Sequence, residues 1–443
     1  MEKVVIIGNG ISGVTAARHI RKLSEKRIVV ISSETKHFFS RTALMYIYMG
    51  HMKFEHTKPY EDWFWEKNNI DLVQAFVKEV DTGQKALLLA DGDEIHYDQL
   101  ILAVGSKSNK FGWPGQDLDG VQGLYSYPDL ELMEKYTMDI DRAVIIGGGL
   151  IGIEMAEMLL TRNIPVSMLI REKEFWDNVL PQEEASLVSR HVLEHHIDLR
   201  KETELKEILS DRDGRVMGVV TKDDERIDCQ FVGLTVGVSP NIQFLEESAI
   251  ETDRGVLVNE CLETNIPDVY AIGDCAQFKT PLPNRRPIEQ VWYTGRMQGE
   301  VVARTICEQK TAYKPGIWFN SAKFLDIEYQ TYGHVWNQLR DDEVQFYWEH
   351  PKGKLCVKMV YHETTRKFLG INSFGIRWRH ESFDQWLKDK RSIDYVLEHL
   401  STANFDPEFF RHHEPAIIQA YNQQNPDHQV VPKKRGIFQR LFA

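Results

Sequence analysis

Cysteine is scarce in this chain. Cys229, Cys261, Cys275, Cys307 and Cys356 are scattered through 443 residues, and none pairs with another as C-x-x-C. Cysteines so dispersed in an intracellular chain are read as reduced and structural. No apolar run approaches the roughly 20 residues that cross a bilayer. Met1, Glu2 and Lys3 lead straight into a core strand, with no room for a secretory leader, so the cytoplasm is the expected compartment. Positive charge is also short. Lys and Arg number 53 against 66 Asp and Glu, a formal net charge of −13, which argues against nucleic-acid binding. The histidine pairs His195-His196 and His412-His413 lack ligand spacing to a third partner, so no metal is expected.

Glycine, by contrast, is placed with purpose. The stretch "VVIIGNGISG" (4–13) is answered by "AVIIGGGLIG" (143–152). In the first copy an apolar strand runs into Gly8-Asn9-Gly10-Ile11-Ser12-Gly13, a G-x-G-x-x-G turn, and helical spacing follows. The first glycine permits the tight turn, the second lets a pyrophosphate approach the backbone, and the third brings helix against strand. The start of the helix adds amides and a positive dipole end. A second apolar strand, Ile28 to Ile31, ends near Glu34, about 20 residues past the last glycine, where an acid is expected to hold a ribose. The second copy repeats the context with Gly147, Gly149 and Gly152, a helix from Ile153 and a strand from Val166 to Ile170. Two such units predict two dinucleotides. A chain of 443 residues also predicts two or three domains, and 42% hydrophobic with 27% charged residues is ordinary globular composition.

Four further stretches carry a resemblance. They are "YDQLILAVGSKSN" (97–109), "IPDVYAIGDCAQF" (266–278), "EQVWYTGRMQG" (289–299) and "FNSAKFLDIEYQTYG" (319–333). In this order, with the two glycine turns, they resemble the pyridine nucleotide–disulfide oxidoreductase superfamily, in its rubredoxin-reductase and nitrite-reductase-large-subunit-like branch. The resemblance implies an α/β fold: two Rossmann-like dinucleotide-binding domains of glutathione-reductase-like architecture, plus an α+β C-terminal domain. It implies an FAD domain from 1–112 and 241–316, an NAD(P)H domain at 113–240, and a C-terminal interface domain at 317–443. FAD would be held by Gly8, Gly10, Gly13, Glu34, Arg41, Gly105 and Asp274, and by the helix start at Val291 and Trp292. NAD(P)H would be received by Gly147, Gly149, Gly152, Glu154 and Arg171, with Glu154 near the nicotinamide. Arg41 and Glu154 also read as plain solvated residues.

Departures from the family pattern shape the functional expectation. Thr42 stands where peroxidase-like relatives carry a redox cysteine, and the C-x4-C of disulfide reductases is absent. A thiolate is required for that chemistry, so electrons are expected to leave the flavin directly. Tyr46 falls where ferredoxin-reductase relatives often place a lysine. Ile170-Arg171 at the end of the second-unit strand lacks the acid typical of an NADH site and favours NADPH, although Glu172 stands close.

The expected activity is transfer of a hydride from NAD(P)H to FAD, then of electrons to an iron–sulfur or other redox protein. A peripheral NAD(P)H:quinone reductase is the first alternative, and an apoptosis-inducing-factor-like protein with flavin-controlled interactions is the second. The quinone reading draws on residues 432–443, where basic residues and Ile437, Phe438, Leu441 and Phe442 at helical spacing predict weak contact with the inner face of a membrane. "WFW" (63–65) reads as core packing or a docking patch. A monomer or a homodimer through the C-terminal domain is expected.

Overall fold

A computed structural model describes residues 1–406, 408–409 and 411–433. These residues divide into two compact units. The first contains Met1–Gly147, Met155–Val166 and Leu205–Pro315; the second contains Gly148–Glu154, Ser167–Glu204 and the chain from Gly316 onward.

The first unit is organised by a parallel sheet of five strands. Their spatial order is Val269–Ala271, Gln99–Leu102, Lys3–Ile7, Arg27–Ser32 and Ile70–Gln74. The strand Lys3–Ile7 lies centrally, pairing Val4 with Ile28 on one side and with Gln99 on the other. Chain order reverses beside it, so this is the switch point at which doubly wound folds bind ligands beyond the carboxyl ends of their strands. Its residues Val4, Val5 and Ile6 are fully buried, as a strand covered on both faces requires. The helices Ile11–Leu23 and Trp292–Cys307 pack closely on one another. A Cβ at Gly299 would stand 2.6 Å from the Ser12 carbonyl oxygen, so only glycine permits the approach. A small antiparallel sheet, Val77–Asp81, Ala86–Leu89 and Glu94–His96, adds Val77, Val80, Leu87 and Leu89 to the same core.

A second parallel array in this unit joins Ala143–Ile146 to Phe231–Leu234, and the latter to Val121–Gln122. The antiparallel strands Leu205–Ser210, Val216–Thr221 and Arg226–Asp228 stand beside it in sequence.

The second unit holds a five-stranded antiparallel sheet in the order Phe319–Phe324, Ile327–Gly333, Phe368–Phe374, Cys356–His362 and Glu343–Glu349. The helices His380–Lys388, Ile393–Glu398 and Glu414–Gln424 bury Phe383, Val396, Leu397 and Tyr421 with the sheet residues Phe346, Phe368 and Ile371. Unit two also contains a parallel pairing of Ser167–Leu169 with Asp198–Arg200 and the helix Gln182–Glu194.

The expected aromatic stretch separates into two environments. Trp65 is core, at 3% exposure, whereas Trp63 is exposed and carries Lys67 over its ring. The expected tail helix falls mostly on residues 434–443, outside the described residues. Pro432 and Lys433 are not helical, and Lys433 pairs with Glu398.

Candidate functional site

The two glycine turns share their geometry. Gly8 and Gly147 both have φ of +111°, a backbone conformation that favours glycine. A Cβ at Gly8 would stand 2.1 Å from the Ala103 carbonyl oxygen, and one at Gly147 would stand 2.6 Å from that of Thr235. In each case the turn leans against the chain leaving the neighbouring parallel strand. The second glycines differ in kind. A Cβ at Gly10 or at Gly149 would meet nothing within 4 Å, so these positions border open space. Gly13 has structural work again, with the Gly8 carbonyl 2.0 Å from where its Cβ would be; Gly152 is buried.

Gly10 caps the helix Ile11–Leu23 in an extended conformation without a side-chain cap, and the first main-chain bond of that helix is Val14 N–H to the Gly10 carbonyl. The amides ahead of Val14 point out of the helix start with its positive dipole end. Val291 caps the helix Trp292–Cys307 in the same uncapped, extended manner.

Between these two helix starts in sequence, but close to them in space, lies a polar cluster. Asp274 follows Gly273, whose φ is +73° and whose Cβ would fall 2.6 Å from Ser12 Oγ. Asp274 Oδ2 accepts from the Tyr125 hydroxyl at 3.1 Å and from Ser106 Oγ at 3.2 Å. Burial pushes the Asp274 carboxyl above the ordinary range against these donors and Arg41. Burial also pushes the Tyr125 hydroxyl far up, so it remains a donor. Ser106 N–H donates to that hydroxyl at 2.9 Å, and Gln290 Nε2 donates to Ser106 Oγ at 2.9 Å. Gly105, with φ of +65°, leaves room for Tyr125, whose hydroxyl would lie 2.8 Å from a Cβ there.

Glu34 and Arg41, expected at the ribose and the flavin respectively, are brought together. Arg41 donates to Glu34 Oε1 at 2.9 Å and to Oε2 at 2.6 Å, and Tyr127 N–H reaches Oε1 at 2.7 Å. Arg41 also donates to the Tyr125 carbonyl and lies over the Tyr125 ring at 4.7 Å. Burial works against its charge, but Glu34 raises the Arg41 pKa above its ordinary value. Glu34 is therefore already engaged.

These residues fit a dinucleotide. The open face at Gly10, the uncapped helix starts and the Asp274 cluster supply amide donors for phosphate and a carboxylate for hydroxyls. Tyr125 has no motif of its own, and Ser106 and Gln290, though inside the stretches 97–109 and 289–299, carry no mark there that singles them out as reaching Asp274 directly or through Ser106.

At the second turn, Thr235 Oγ1 donates to the Ile146 carbonyl at 3.0 Å, locking the strand end that precedes Gly147. In the second unit, Ile170 is buried and sits 2.8 Å from a Cβ built at Gly148. Glu154 lies half-buried in the helix Leu150–Thr161. Arg171 is three-quarters exposed and pairs with Glu172 at 3.1 Å.

All five cysteines are unpaired. Cys275, next to Asp274, is fully buried and donates to the Leu102 and Ile272 carbonyls, and burial pushes its thiol up to about 12. Burial likewise raises Cys229 to about 12 and pushes Cys261, Cys307 and Cys356 above their ordinary value. Thr42 bonds Ser40 and is no nucleophile of this kind.

Residues 2–299 match the family described as pyridine nucleotide-disulphide oxidoreductase. The chain belongs to that family. It is an FAD-dependent NAD(P)H oxidoreductase of α/β fold with two Rossmann-like nucleotide units. Among curated relatives, the nitrite reductase [NAD(P)H] of Bacillus subtilis is 32% identical over 63% of this chain and 35% of its own length. The ferredoxin–NAD(P)(+) reductase of a Sphingomonas species is 31% identical over 74% of this chain and 80% of its own. Among solved structures, the ferredoxin reductase of Rhodopseudomonas palustris aligns over 92% of this chain and 96% of its own. Its TM-score is 0.77 at 23% identity, a likeness of fold.

Proposed function

We propose that this protein draws reducing equivalents from NAD(P)H into FAD and delivers them to an external redox protein of the ferredoxin or rubredoxin kind. The observation that carries the reading is the state of the thiols. A protein that reduces disulfides or peroxides through itself needs an accessible thiolate. Here every thiol is pushed toward its protonated form, and the cysteine nearest Asp274 points into the sheet. Relatives named ferredoxin and rubredoxin reductases support the same reading.

Bound FAD supplies the hydride and electron chemistry. The chain holds and orients it. Gly10 opens the backbone to the pyrophosphate, Asp274 offers its carboxylate to the ribityl hydroxyls, and Val291–Trp292 aims free amides at the pyrimidine edge. Gly147, Gly149 and Gly152 seat the pyridine nucleotide, with Glu154 toward the nicotinamide. The domain limits 1–112 with 241–316, 113–240 and 317–443 belong to this proposal.

For NADPH against NADH, Arg171 favours the 2′-phosphate and its partner Glu172 opposes it. The NADPH preference expected from the sequence gains nothing from that pairing, so the reading stays with NAD(P)H. The quinone alternative rests on a tail outside the described residues, among which no helix is long and apolar enough to cross a membrane. The test is turnover with purified ferredoxin or rubredoxin as acceptor. Acceptor reduction that requires both FAD and NAD(P)H upholds the proposal, and flavin that is reduced but never reoxidised by such proteins overturns it.

A further inference from the structure

The helix Gln182–Glu194 carries His191 in its last turn, and His195 caps its end. This i, i+4 spacing puts both imidazoles on one helix face, their ring centroids 4.5 Å apart and nearly perpendicular. In the same unit, Asp326 sits in the tight turn between the strands Phe319–Phe324 and Ile327–Gly333, beside Leu325 with φ of +56°. Its Oδ1 lies 3.0 Å from His195 Nε2 and 2.5 Å from His191 Nε2. One ligand-capable atom from each residue lies within 4.8 Å of the other two.

The cluster is more than three polar residues at a surface. His191 is only 2% exposed; its Nε2 lies against the Asp326 carboxylate, while its Nδ1 has no hydrogen-bond partner. Burying an imidazole with a nitrogen unpaired is costly, and packing its other nitrogen and a second imidazole against one carboxylate oxygen leaves a crowded donor set. A cation accepting the Nε2 lone pair relieves that crowding. The other nitrogen, Nδ1, stands 3.7 Å from Glu194 Oε2, beyond hydrogen-bond distance but close enough for a side-chain movement to bring in the carboxylate that orients metal-bound histidines. His195 and Asp326 are partly exposed, so an ion has a path in. The opposing charge is Lys354, whose Nζ lies 3.4 Å from Asp326 Oδ2 and holds the carboxylate by its other oxygen.

We propose that His191, His195 and Asp326 form a three-ligand site for a zinc-type divalent cation, with water as the fourth ligand. Two imidazoles and one carboxylate suit a borderline ion at about 2.0–2.2 Å and not magnesium or calcium, which take all-oxygen shells. Small movements of the partly exposed His195 and exposed Asp326 side chains would space the three donors for tetrahedral bonding. The ion would tie the end of the helix to the hairpin turn. It is a clasp within this unit.

The test is equilibrium dialysis of the tag-free, EDTA-treated holoprotein against zinc chloride, with bound metal counted by mass spectrometry and the thermal midpoint recorded. The site predicts about one tightly held zinc per chain and a raised midpoint, with no such effect from magnesium. His195→Ala and Asp326→Asn, at a partly exposed and an exposed position, should lose that equivalent while keeping the flavin spectrum and NAD(P)H reduction. Glu194→Gln should weaken binding about tenfold. Equal zinc stoichiometry and affinity in the unmodified protein and both ligand variants would overturn the proposal, as would no tight zinc in the unmodified protein.

Discussion

The Tyr125 hydroxyl donates to Asp274 Oδ2 at 3.1 Å although the two residues are 149 positions apart. That bond joins the loop that leads into the helix Tyr127–Tyr136 to the turn that follows the strand Val269–Ala271. Removing the donor leaves a largely buried carboxylate short of one partner. Tyr125→Phe should lower the stability of the flavin-free protein by about 1–3 kcal/mol. Chemical unfolding of the apoprotein measures this, and an unchanged midpoint would mean that the bond carries no weight.

The glycines separate into two roles that a single pair of variants distinguishes. Gly8 has a positive φ and a carbonyl 2.1 Å from its missing Cβ, so Gly8→Ala should destabilise the fold by several kcal/mol, on the order of the strain such positions store. Gly10 faces open space, so Gly10→Ala should fold normally and lose FAD affinity. Circular dichroism and flavin occupancy together read the two outcomes. Equal loss of folding in both variants would contradict the division.

Glu184 sets a pH dependence in the second unit. It is fully buried, Oε2 accepts from Asn372 Nδ2 at 2.9 Å, and Oε1 has no hydrogen-bond partner. Burial pushes its carboxyl from 4.5 up to about 8. Between those values the folded chain keeps a proton that the unfolded chain has released. The contribution to stability therefore falls as pH rises through that window and levels off above it. Glu184→Gln should flatten the decline and raise the thermal midpoint at pH 9. A midpoint profile that is the same in both proteins would contradict the buried, protonated state.

Coenzyme choice should turn on one neighbouring pair. Glu172→Gln frees Arg171 and removes a negative charge near a 2′-phosphate, so kcat/KM for NADPH over NADH should rise about two- to fivefold, the scale of a surface charge pair. Arg171→Ala should move the ratio the other way. Steady-state kinetics with both coenzymes decide it; no change in either variant would place the 2′ position elsewhere.

The periodic and the local were readable in the sequence. Both glycine turns, their strands and their helices lie within about 30 residues each, and their common φ at Gly8 and Gly147 follows from one repeated motif. Asp274 was readable because "AIGD" is a contiguous phrase. What the chain assembles from afar was not. Tyr125 reaches Asp274 with no spacing signal, Ser106 and Gln290 are unmarked within the stretches 97–109 and 289–299, and the Glu34–Arg41 pair came as two separate expectations. The i, i+4 spacing of His191 and His195 is present in the sequence, but two histidines alone do not make a metal site. Asp326 comes from a hairpin 131 residues further on and could be placed only by the fold.

The most direct test of the central claim is an anaerobic stopped-flow experiment. The flavin is first reduced with one equivalent of NAD(P)H and then mixed with oxidised ferredoxin or rubredoxin, or with a small disulfide. The account predicts rapid flavin reoxidation by the redox protein, unchanged after the native protein is treated with a thiol-alkylating reagent, and none by the disulfide. Rapid reoxidation by the disulfide that alkylation abolishes, with the redox proteins inert, would contradict it.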